Sequence, residues 1–122
     1  MPAKRVRLTG VFRTVKVRAA TTANIAIATA LNAADVLDGV TLANGDRVLV
    51  KNQTTGAENG VYVVSATPAR SADWAAGAEV SGFAARVYEG TAGADTVWAV
   101  YAQPAVVGTN DPQFLKHEKN GV

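Results

Sequence analysis

Short apolar stretches that alternate with period two, punctuated by Asn and Gly, leave this chain few architectures other than a β-sheet one. Asp46-Arg-Val-Leu-Val-Lys51 and Gly60-Val-Tyr-Val-Val-Ser65 are rich in β-branched residues. The segment between them, from Asn52 to Asn59, is made of turn formers, so the pair reads as a hairpin with a long polar loop. Phe83-Ala-Ala-Arg-Val-Tyr-Glu89 and Asp95-Thr-Val-Trp-Ala-Val-Tyr101 read as a second hairpin around a glycine-containing loop. Thr14-Val-Lys-Val-Arg18 alternates valine with polar side chains, as a half-buried strand does. Pro112 to Glu118 is expected to supply a last strand, with proline at its start where no ladder bond is lost. Asn44-Gly45 favours backbone with positive φ and marks a sharp reversal before Asp46.

The stretch from Ala19 to Leu37 carries two signals. Its alanines favour helix. Ile25, Ile27, Thr29 and Leu31 alternate with small or polar residues, and this favours an extended segment up to Leu31. A short helix is placed at Asn32–Leu37, followed by a turn at Asp38-Gly39. The segment from Thr67 to Val80 reads as a loop anchored by a buried Trp74. The expected fold is all-β and mainly antiparallel: a single small sandwich or partly open barrel. Residues 1–14 are expected to form a basic arm or first strand, and residues 15–122 a single β-rich module.

At 122 residues and 48% hydrophobic, the chain has the length and composition of one globular domain. It has no cysteine, so disulfides and thiolate zinc sites are excluded. No apolar run approaches the length of a membrane span. Charge is uneven along the chain. Lys4, Arg5, Arg7, Arg13, Lys16 and Arg18 are half of the 12 basic residues, and they precede the first acidic residue, Asp35. The rest of the chain holds six basic and ten acidic residues. These six cations are the candidate assembly contacts, facing an acidic partner, or else the charges of a solvated first strand.

Chemistry-bearing residues are sparse. The serines are Ser65, Ser71 and Ser81, none in a nucleophile-elbow pattern, and the single histidine is His117. Gly56 to Gly60 lacks the lysine and following helix of a phosphate-binding loop. Glu58, Asp73, Glu79, Glu89 and Asp95 show no spacing that pairs two carboxylates across a cleft. Asp35 and Asp38 are too few for a calcium loop. No catalytic residue, metal or cofactor is expected. Tyr62, Trp74, Tyr88, Trp98 and Tyr101 are expected mainly in the core. They are separated in sequence from the basic cluster, which argues against a nucleic-acid groove. Asn52, Gln53, Glu58, Asn59 and Trp74 form the alternative candidate, a loop that binds a carbohydrate, receptor or protein partner.

Val17-Arg-Ala-Ala-Thr-Thr-Ala-Asn-Ile25, Asp38-Gly-Val-Thr-Leu42, Gly45-Asp-Arg-Val-Leu-Val-Lys-Asn-Gln-Thr54 and Glu58-Asn-Gly-Val-Tyr-Val-Val64 resemble a module of bacteriophage tail fibre and related virion structural proteins. Glu89-Gly-Thr, Ala94-Asp-Thr, Trp98 and Val107-Gly-Thr109 are similar to its second half. The resemblance implies a β-rich virion component without catalytic residues, made in the host bacterial cytoplasm. Its expected partners are other virion proteins of the capsid, baseplate or tail, and further copies of itself, with a trimer as the implied count. Two departures are the basic lead-in from Lys4 to Arg13 and the alanine-rich Ala26 to Ala34. The module is expected to be free-standing, in a tail fibre, a baseplate, a capsid decoration or a head fibre.

Overall fold

The computed structural model describes residues 13–101 and 105–117. The expected alternation of the first strand is present in β1 (Arg13–Val17): Val15 and Val17 turn inward while Thr14 and Lys16 are exposed. After Arg18 the chain continues as β2 (Ala19–Ala20). A helical turn, α1 (Ile27–Ala30), precedes a small hairpin of β3 (Val36–Leu37) and β4 (Val40–Thr41). Then follow β5 (Arg47–Val50), β6 (Gly60–Val63), β7 (Ala69–Arg70), β8 (Phe83–Val87), β9 (Thr96–Val100) and β10 (Phe114–Lys116). Short 3-10 turns occupy Gly56–Glu58 and Ala72–Trp74.

The fold is all-β, as expected. Two four-stranded sheets form, in the orders β1-β8-β9-β10 and β2-β5-β6-β7. These are the first and the second sheet, respectively. Both expected hairpins are present, β5 with β6 and β8 with β9. The parallel pairings are β1 with β8 and β2 with β5; the others are antiparallel. One extended segment, Arg13 to Ala20, therefore serves as edge strand of both sheets. Its parity changes at Arg18. Before it, odd-numbered Val15 and Val17 face the core between the sheets; after it, Ala20 does so and Ala19 faces the opposite way. One extra residue in a strand has this effect, and corners between sheets are made this way. The Arg18 backbone spans the junction: its N–H donates to Arg47 O in the second sheet, and its carbonyl accepts from Glu89 N next to the first.

Two apolar clusters lie on opposite sides of the second sheet. Leu49 and Val61 join Val17, Phe83, Val87 and Val100 between the sheets. Val48, Val50, Tyr62 and Val64 meet Leu31, Leu37, Val40 and Leu42 on the other side. That double coverage explains the nearly continuous apolar runs of β5 and β6. Trp74 is 0% exposed, set edge-on to Phe83 and stacked on Phe114. Burying a side chain of this size contributes about 4–6 kcal/mol of transfer free energy. Its Nε1 has no hydrogen-bond partner among the described residues, and this offsets part of that gain.

Two expectations for Ala19 to Leu37 need correction. The helical turn lies at Ile27–Ala30, where an extended segment was expected, and Asn32–Leu37 is a turn running into β3 instead of a helix. Leu31 is fully buried and Ile25 and Ile27 pack against the second cluster, so a helical turn sets this apolar set on the second sheet. Asn32 holds the turn: its backbone N–H donates to Asp35 Oδ2 and its Nδ2 donates to Ser65 O, at 2.9 and 2.7 Å. Asp38 and Gly39, with φ of 51° and 82°, make the two-residue turn between β3 and β4. The Asp38 carboxylate then accepts from Ala92 N and Gly93 N at 2.9–3.1 Å, fastening this hairpin to the β8–β9 loop. A side chain at Gly90 would collide with that carboxylate.

Candidate functional site

Alternation along the first sheet divides its side chains between two faces. Val15, Val17, Phe83, Ala85, Val87, Trp98, Val100 and Phe114 point to the shared core. The outer face carries Thr14 and Lys16 from β1, and Ala84 and Arg86 from β8. Val97 and Ala99 from β9 and Leu115 from β10 complete it. Tyr88 and Tyr101 continue the same alternation just beyond β8 and β9. Leu115, Tyr101 and Tyr88 are 60%, 57% and 47% exposed, so this face holds three of the four exposed large hydrophobics among the described residues. Small side chains at Ala84 and Ala99 leave a depression of about 260 Å³, also lined by Thr14, Val97 and His117.

One end of this face is cationic. Lys16 and Arg86 stand directly opposite each other in the β1–β8 register. Lys16 Nζ lies 5.7 Å and Arg86 Cζ 5.2 Å from the Tyr88 ring centroid, so both cations contact one exposed aromatic ring. Asp95 approaches Arg86 at 3.6 Å and is itself 81% exposed.

The other expected assembly cations are placed differently. Lys4, Arg5 and Arg7 lie outside the described residues, and Arg13 opens β1. Arg18 forms a clasp at the surface: its Nη1 donates to Asp46 Oδ2 at 2.7 Å and its Nε to Glu89 Oε1 at 3.2 Å. Hydrogen bonding to Asp46, then to Glu89, raises its pKa further, so the clasp stays charged. Beside it runs an open polar groove of about 460 Å³, lined by Val40, Thr41, Glu89 and Thr91 among others.

The alternative loop is largely committed to structure. Gln53 is buried; its amide accepts from Ile25 N and donates to Ile25 O and Glu58 Oε1. Asn59 is 3% exposed; its Oδ1 accepts from Gln53 N and its Nδ2 donates to Pro112 O. Asn52 Oδ1 accepts from Thr21 Oγ1 and Lys51 Nζ. The Glu58 carbonyl accepts from Tyr62 OH, whose pKa burial pushes up. Trp74, expected to serve a ligand or partner at this loop, lies in the core and presents no surface. The sequence reading of it as a buried anchor is the one the fold realises.

Elsewhere, Asp73 accepts two hydrogen bonds from Arg47 Nη2 and one from Ser71 Oγ. Burial pushes this carboxyl up, but the Ser71 and Arg47 hydrogen bonds outweigh it and hold it below the usual carboxylate range. Burial lowers the Lys51 pKa, and its Nζ sits 4.1 Å from the Trp98 ring centroid. Among the described residues no three His, Asp or Glu side chains gather to hold a metal ion, and no helix is long and apolar enough to cross a membrane.

Sequence reasoning missed Arg86 and Leu115, and it expected Tyr88 and Tyr101 mainly in the core. The signal was present: Ala84, Arg86 and Tyr88 share one face of a period-two strand. Comparison of the chain with protein-family models, curated proteins and solved structures found no match.

Proposed function

We propose that this chain is a structural component of a bacteriophage particle that works by fitting against other virion proteins. It would serve in a tail fibre or baseplate, or as a capsid decoration or head-fibre protein, in several copies around a symmetry axis. The virion assignment rests on the resemblance of the blocks between Val17 and Thr109. Contact as the mode of action is supported by one geometric observation, the outer face of the first sheet. Single exposed apolar side chains are ordinary on a protein surface, but Tyr88, Tyr101 and Leu115 share one face around a small-residue floor.

Density for the chain in intact particles tests the reading. The expected result is the chain at symmetry-related positions with this face covered by a neighbouring protein. Absence of the chain from purified particles, or its presence with the face open to solvent, would refute it.

A further inference from the structure

The outer face of the first sheet pairs like charges where a sheet alone would not. Lys16 and Arg86 are direct cross-strand partners, an arrangement that destabilises a sheet. Asp95 neutralises one of the two at most, from 3.6 Å and with 81% of its side chain exposed. No ion pair reaches Lys16 among the described residues. The face therefore keeps a positive charge at one end, held over Tyr88, and an apolar depression at the other.

We propose that this face receives an extended acidic segment of a neighbouring protein chain, with a carboxylate between Lys16 and Arg86 and an apolar side chain over Ala84 and Ala99. The inference rests on the reading of the chain as an assembly protein and names the chemistry of its partner. The spacing defines the segment. The Lys16–Arg86 row and the Thr14–Ala84–Ala99 row lie two residues apart along β1 and β8. Same-face side chains of an extended strand also lie two residues apart, about 6.7 Å. A segment running along β8 thus presents an apolar residue and an acidic residue at positions i and i+2. The depression, about 260 Å³, is smaller than the roughly 300–1,000 Å³ of small-molecule sites and suits one or two side chains. A nucleic acid fits less well, because its backbone needs a track of cations and among the described residues this face offers two, beside Asp95.

The test uses the full chain and a capped peptide of Leu-Ser-Glu-Ser repeats, followed by amide chemical shifts. Peptides with lysine in place of glutamate, and an oligothymidylate of matching length, are the comparisons. Saturable shifts are expected at Thr14, Lys16, Ala84, Arg86, Val97 and Ala99, with no binding of the lysine peptide. The Lys16→Glu, Arg86→Glu double variant should weaken the glutamate peptide at least about tenfold, and added salt should weaken it too. Lys16→Glu alone exchanges a cation for an anion at this end of the face, so it should lose the glutamate peptide with the fold retained. No saturable shift, shifts elsewhere, indifference to charge reversal, or equal binding of oligothymidylate would overturn the proposal. Failure here with the chain present in particles removes this face alone; absence from particles with peptide binding intact removes the virion reading instead.

Discussion

Asn59→Ala measures how much of this fold depends on one buried amide. Asn59 links the β5–β6 loop to the residues that lead into β10: it accepts from Gln53 N at 2.9 Å and donates to Pro112 O at 3.0 Å. Both bonds are buried, and Asn59 is 3% exposed, so water does not easily replace the lost amide. Truncation orphans one donor and one acceptor at about 1–3 kcal/mol each, which predicts a loss of about 2–6 kcal/mol. That is a large part of the roughly 5–15 kcal/mol that holds a domain together. In a chain of this length it corresponds to a fall of about 8–23 °C in Tm. Urea unfolding read by Trp fluorescence, with a thermal scan by circular dichroism, gives both numbers. Thr54→Ala in the same loop removes an exposed side chain and should stay within about 0.5 kcal/mol of wild type. A loss under about 1 kcal/mol for Asn59→Ala, or equal losses for the two variants, would refute the idea that this amide fastens the loop.

Two further predictions concern backbone and charge. Ala34 is exposed and held at φ 75°, so Ala34→Gly removes a left-handed penalty without losing packing; a gain of about 0.5–1 kcal/mol is expected, and a lower urea midpoint would contradict it. Asp73 has a folded pKa below its ordinary value of 3.8, so its contribution is present above that value and fades as pH falls through the folded pKa. Asp73→Asn should therefore cost stability at about pH 6, with a gap from wild type that narrows at about pH 2.5; a gap independent of pH would show that the Arg47–Asp73 pair is not its source.

What the sequence made legible follows from the range of each interaction. The β5–β6 and β8–β9 hairpins could be read because each joins neighbouring segments whose alternation and turn residues are local. The pairing of β1 with β8 could not, since Val17 meets Val87 across most of the chain and no local signal marks a parallel edge. Ile25 to Leu31 was misleading because isoleucine and leucine separated by alanine satisfy either period. Packing decided for a helical turn four residues long, without a side-chain cap at Ala26. The basic cluster was visible as charge, but Lys16 and Arg18, two positions apart, serve different ends: one remains outside on Tyr88, the other closes onto Asp46 and Glu89. For Asn59 and Gln53, polarity suggested exposure, while the fold uses their amides as internal substitutes for strand pairing.

The shared edge strand also sets an order on folding. The β5–β6–β7 meander can form from contiguous chain, whereas Arg13 to Val17 must wait for Phe83 to Val87 before its own ladder closes. Until then the edges of β5 and β8 stand open together, and one strand from any copy of the chain can close both. Slow refolding at high concentration would therefore favour strand exchange between copies, with the first strand of one molecule completing the two sheets of another.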